Sequence, residues 1–451
     1  MLWIADIFVP LTYVALVAAL LLTTRRWRDW ITPLSLIFAL GLVRFGLPGL
    51  LLLCGVDPDV PVFRTMRLDE VDWTLGHVLA LLGLLGVAIG WHVPSRSLGI
   101  AIRQTSRRLR VHLTRGVRYT AAAGMCIGIV ALLAFVATNI SIGQAVQTGE
   151  FRGTEIQEGT GVFFWLSLML IASSVVFSAY LVATYCAWWI ALLPVSLATL
   201  LFWTLGGRVR ALTPIAAGLF FLWHWRGRPG SSIKTGMILA IALLPAFLLA
   251  GQLYRGGQGL EGITNALSID AVSDYVKGAI WVDWGQLHAL AGAAAIDRPG
   301  VLGGGTFWRT LLWPLSERII PISGRSAGVF ITDTLVGFGG GRKWGFHSTL
   351  IGDAYLNFGL GGLFVVTALF GVLTKRLYLG WKQGSIDSVF YTIALLYSAR
   401  IFFESIEKFP EAMVVLVFAL AVTRVGQVTF RPSVGSVPGD RSAARQSPLV
   451  T

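Results

Sequence analysis

His347 and Ser348, with Asp353 and Tyr355 just downstream, form the densest group of chemically capable side chains in the sequence. They lie in GGGRKWGFHSTLIGDAYLNFGLGG, residues 339–362, a glycine-rich basic loop that runs directly into a long apolar stretch. His347 is one of six histidines in 451 residues. Ser348 or Thr349 stands where a helix N-cap is expected. A helix N-terminus attracts anions and disfavours an added positive charge, so it tends to keep a nearby imidazole neutral. A neutral imidazole accepts a proton and suits general-base work. The plainer reading is a structural or interfacial histidine. A histidine, a carboxylate and cations at a membrane boundary are nevertheless costly to keep there, which makes this segment the expected seat of the chemistry.

Arginines supply the other half of a candidate site. Gly206-Gly207-Arg208-Val209-Arg210 joins two apolar stretches, and the planar donor fork of arginine suits phosphate. The plain alternative is a turn with cations at lipid headgroups, although arginine is disfavoured in short outer loops. Arg44, in LVRFGLPG, and Arg400, in LYSARIFFES, lie inside apolar stretches. An embedded arginine either faces the bundle interior and pairs, or snorkels to the interface. Glu404 is the i,i+4 partner expected for Arg400, which leaves Arg44 as the freer cation. Arg318 and Arg325 bracket a proline turn in SERIIPISGR, close in sequence to the histidine segment.

Composition fixes the elements that must position these groups. The chain is 55% hydrophobic and 13% charged, against about 25% charged in soluble domains. That predicts an all-α polytopic membrane bundle, with about eleven spans of the length a bilayer needs. They fall near 5–24, 31–53, 75–94, 119–140, 162–182, 186–205, 211–225, 235–254, 349–373, 387–404 and 410–428. Residues 1–254 form an N-terminal bundle of about eight spans, 255–348 a large loop, 349–430 the last spans, and 431–451 a disordered tail. No stretch reads as a cleaved signal peptide. The loop carries five tryptophans and two apolar patches, and reads as a helical cap on the outer surface that covers a cavity open to the outer leaflet.

The basic loops Arg25–Arg28, Arg103–Arg118, Arg226–Lys234 and Lys375–Lys382 alternate with acidic ones, which puts the former in the cytoplasm and 255–348 outside. The net charge of +13 is then explained by the anionic inner leaflet, with no nucleic acid involved. Cys54, Cys126 and Cys186 sit in or beside spans and read as buried thiols; no Cys/His cluster has metal-ligand spacing.

The span FHSTLIGDAYLNFGLGG resembles a motif of the bacterial O-antigen polymerase and O-antigen ligase superfamily: a His, a small polar residue, a spacer, then Gly-x-x-Gly. His347, Ser348 and Gly359–Gly362 match it with one extra spacer residue. YLNFG, with Asp353 two residues before Tyr355, is similar to the oligosaccharide repeat unit polymerases. GGRVRAL resembles their Gly/Ser-Arg element, although this chain has both Arg208 and Arg210 where one arginine is usual. WPLSERIIP resembles a loop segment of theirs more loosely. The large outer loop between late helices also matches in position, and twelve spans are common in the family.

The resemblance implies a type C glycosyltransferase-like fold with a large helical periplasmic loop. It implies metal-independent glycosyl transfer, without cofactor, on the periplasmic side of the bacterial inner membrane. The donor is a glycan on undecaprenyl diphosphate and the acceptor is another lipid-linked repeat unit, giving O-antigen or exopolysaccharide. A chain-length regulator is a further partner that this reading admits. Fixed arginines would stabilise charge building on the diphosphate, with Arg208, Arg210, Arg325, Arg318, Arg44 and Arg400 as candidates. His347 would take the acceptor proton, Asp353 would orient it, and Tyr355 and Ser348 would contact substrate. A ligase transferring the glycan to lipid A-core shares the histidine motif. A flippase for a polyprenyl-linked glycan is the alternative of another class, and predicts charges at mid-membrane depth and internal repeats.

Overall fold

The computed structural model describes residues 32–53, 66, 68–94, 115–139, 161–184, 188–204, 208–225, 286–296, 298–312, 327–336, 348–383 and 386–429. Every regular element among them is helical. Six helices are long and apolar enough to cross a membrane, which makes the chain a multi-pass membrane protein. The spans expected at 5–24 and 235–254 lie outside the described residues.

The first described span starts as α1 (Pro33–Gly41), with Thr32 and Ser35 forming a reciprocal cap and proline at the first helical position. A single π-helical turn, Leu42–Gly46, interrupts it before α2 (Leu47–Leu53). Helix α3 (Glu70–His92) opens on an Asp69–Asp72 capping box. The next two are α4 (Arg115–Asn139) and α5 (Gly161–Thr184). The pair with almost nothing polar between them separates as expected: α5 ends at Thr184 and α6 (Trp188–Thr204) follows, then α7 (Arg208–Trp225). The long loop contributes α8 (Leu287–Ala295), α9 (Gly305–Leu311) and α10 (Ala327–Val336). The chain ends its described part with α11 (Thr349–Gln383), α12 (Ser388–Phe403), a 3-10 turn (Ile406–Lys408) and α13 (Phe409–Thr429).

The two largest apolar cores among the described residues divide most of the bundle. One gathers α4, α5, α6, α7, α12 and α13 around Phe135, Val175, Phe202, Phe221 and Tyr397. The other gathers α1, α3, α8 and α11 around Phe38, Phe45, Leu84 and Ile351. The end of α12 belongs to both, because Ile401 enters the first and Phe402 and Phe403 the second.

Three expectations change. Helix α8 was expected on the surface, but Leu287 to Ala294 are buried. Its backbone at Ala291 presses on Gly76 of α3, where a side chain would collide. Its run of alanines makes that approach feasible. Cys126 is exposed on α4 rather than buried, so it faces the bundle's surroundings. Gly359 was read as a packing glycine, yet it has φ 71° and ψ −168° and breaks α11. Only glycine adopts that conformation at no steric cost. The carbonyls freed upstream of the break are taken by the loop: Gly300 N–H donates to Tyr355 O at 3.1 Å and Leu302 N–H to Leu356 O at 2.9 Å.

Candidate functional site

Helix starts and ends converge at one end of the bundle and carry most of the buried charge among the described residues. Arg210, in the first turn of α7, donates to Glu411 Oε2 at 2.9 Å. Arg400, in the last turn of α12, donates to Glu411 Oε1 at 2.6 Å and grips Glu404 through Nε at 3.1 Å and Nη2 at 3.2 Å. Lys408 stands 3.8 Å from Glu404. The Tyr397 hydroxyl donates to Glu411 Oε1 at 3.2 Å. The carboxylates of Glu404 and Glu411 are 4% and 5% exposed. Three cations face two carboxylates, so the cluster carries a formal charge of +1. Aromatic faces support the guanidiniums: Arg210 lies 4.8 Å over Phe164 and Arg400 5.2 Å over Tyr397.

The elbow between α12 and α13 is tied to the start of α11. Thr349 N–H donates to Glu404 O at 3.1 Å. Asp353, fully buried, accepts from Ser405 Oγ and from the Ile406 N–H, both at 2.9 Å, and from Ser348 Oγ. Asp353 therefore fastens one span to the next at the point where the charges sit. Thr349 holds φ 61°, a left-handed conformation rare for a β-branched residue. Its hydroxyl caps the helix by accepting from Gly352 N–H at 3.1 Å. Backbone strain of this kind costs about 1–3 kcal/mol and clusters at functional sites.

A third arm comes from the π-helical turn. Its Arg44 carbonyl accepts from Gln286 N–H at 2.8 Å. With its amide oriented to satisfy both neighbours, Gln286 accepts from Arg44 Nη1 at 3.2 Å and donates to Phe403 O. The Arg44 guanidinium lies 5.5 Å over the Phe403 ring. A π turn frees carbonyls from the regular ladder and recurs at functional positions; here it lets the loop helix α8 begin against Arg44.

Of the residues singled out from the sequence, Arg210, Arg400, Arg44, Ser348 and Asp353 come together at this end. The Arg400–Glu404 pair forms as expected. Arg44 differs from the expected freer cation, because Gln286 and Phe403 hold it. Tyr355 is half-buried between two apolar clusters, with its carbonyl taken by Gly300. Arg208 opens α7, but its side chain lies outside the described residues, as do His347, Arg318 and Arg325. Among the described residues no group of three His, Cys, Asp or Glu is placed to hold a metal ion.

Sequence reading missed Glu411, Lys408 and Gln286. Glu411 looks like an ordinary acid in a first helical turn, and its partner Arg210 is 201 positions away. Gln286 is one polar residue in a long loop. The available signal was the apolar setting, since an acid beginning a membrane span needs a partner.

No family model matches the chain, and no curated protein or solved structure shows significant similarity to it.

Proposed function

We propose that the protein is a glycosyltransferase that polymerises oligosaccharide repeat units carried on undecaprenyl diphosphate, acting at the outer face of a bacterial cytoplasmic membrane with a type C glycosyltransferase-like bundle. The observation that carries this reading is the convergence of Arg210 and Arg400, from separate helices, on one carboxylate at the bundle end where α11 begins. His347 directly precedes that start in sequence.

Two guanidiniums held by neighbours are preorganised donors for an anionic leaving group, so charge that builds on the diphosphate meets fixed positive charge without reorganisation. Arg44 and Lys408 extend the positive field. The acceptor hydroxyl loses its proton as the glycosidic bond forms, and His347 is the base. Asp353 is spent on Ser348, Ser405 and Ile406, so its part is to position the segment that carries His347. The basic residues of alternate loops support an outer site.

His347→Ala and Arg210→Ala are each expected to abolish the long-polymer ladder in cells that depend on this chain, while single repeat units persist. Normal ladders from both variants, at unchanged membrane levels, would sink the assignment.

A further inference from the structure

A diphosphate site has no evident use for a carboxylate placed between its two arginines, and Glu411 stands there. Its two oxygens are divided between two cations, Arg210 at 2.9 Å and Arg400 at 2.6 Å. A carboxylate that spans guanidiniums from α7 and α12 occupies the position that phosphate oxygens would take. The surrounding membrane presents phosphodiester headgroups in great excess, each with a single negative charge. A bare arginine pair at the boundary would fill with them.

We propose that Glu411 is a specificity-determining residue, an intramolecular competitor that keeps singly charged phosphodiester headgroups off the Arg210–Arg400 pair and yields only to a diphosphate. This rests on the function proposed above.

Charge balance is the first support. A ligand with one negative charge gains from the two arginines about what the carboxylate already supplies, and its rival is tethered to the same chain at high effective concentration. A diphosphate brings more charge into the same field, and Coulomb attraction grows with it. The second support is that the exchange leaves neither Arg400 nor Glu411 stranded, and the Tyr397 hydroxyl that donates to Glu411 Oε1 would turn to an incoming phosphate oxygen. Arg400 keeps its two contacts with Glu404. Glu411 itself belongs to the first turn of α13, where the helix N-terminus favours a carboxylate. Selectivity of this kind comes from a penalty on the wrong ligand rather than an extra contact with the right one.

The test uses the full chain in neutral detergent, titrated separately with inorganic pyrophosphate and with short-chain phosphatidylglycerol. Glu411→Gln is expected to raise affinity for phosphatidylglycerol about tenfold more than for pyrophosphate, a shift of about 1.4 kcal/mol in preference. Equal gains for the two probes, or no gain for either, overturn the proposal, as does a parent chain that binds no pyrophosphate. A second measurement needs no variant: an excess of phosphatidylglycerol should leave the parent's pyrophosphate affinity unchanged, and loss of more than about half of it counts against the competitor. Chain elongation is read separately. A chain that fails to elongate but shows this selectivity loses the polymerase reading and keeps the filter. One that elongates without it keeps the polymerase and loses the filter.

Discussion

The seam between α3 and α11 and the elbow between α12 and α13 join helices in the same apolar surroundings by opposite means. The seam is built from absence. Gly83 of α3 packs on the Ile351 side chain, Gly86 and Gly90 meet Thr367 and the Ala368 backbone, and Gly371 of α11 meets the backbone of Val87, with no room for a side chain at Gly90 or Gly371. Small residues let backbones touch, and in lipid that contact is a main source of helix association. The elbow is built from charge: Arg210, Arg400, Lys408, Glu404 and Glu411 are largely withdrawn from solvent, together with the Asp353 carboxylate. Buried ion pairs contribute little net stability compared with apolar replacements of similar shape. A chain that makes dry, close helix contacts along α3 has an easier way to hold α12 and α13 together. That it places charges there instead is what the proposed anion site requires.

The contrast can be broken first at the seam. Gly90→Leu should collide with the Ala368 backbone and prevent folding, read as loss of the monodisperse peak in detergent chromatography. A well-behaved Gly90→Leu protein would mean the two helices are not locked. At the elbow, Arg400→Ala removes the closest cation from both buried carboxylates, leaving Glu411 to Arg210 and Glu404 to Lys408 at 3.8 Å. It is expected to cost about 3–5 kcal/mol in unfolding measurements, with Arg400→Lys recovering part of the stability. A loss below about 1 kcal/mol would place the cluster among weak surface-like pairs. The smallest effect is expected at Thr349. Asn tolerates the left-handed conformation and retains a capping oxygen, so Thr349→Asn should stabilise the protein by about 0.5–1 kcal/mol. Polymer yield is expected to fall in the same variant if the strain serves to place the residues before it. A stabilised variant with unchanged polymer removes that role.

The same contrast explains what the sequence disclosed. Apolar runs report spans directly, and the described spans fall within a few residues of the expected stretches, except that α11 runs ten residues past its expected end; the short loop helix α10 had no expected counterpart. The Arg400–Glu404 pair is local and follows from helical spacing. The bridge from Arg210 to Glu411 is not local, and hydropathy carries no information on which helix ends meet. Gly359 shows the third limit: a glycine in an apolar run reads as packing, and only the backbone reveals a break.

That break constrains how the loop can move. Two carbonyls of a membrane helix owe their hydrogen bonds to Gly300 and Leu302, and nearby Thr306 N–H donates to Asn357 at 3.2 Å. Peeling this stretch away would strand those carbonyls in an apolar medium, at several kcal/mol apiece. Residues 298–306 therefore behave as a riveted part of α11. Any rearrangement of the described loop helices has to leave this stretch in place, because its backbone completes the hydrogen bonding of α11.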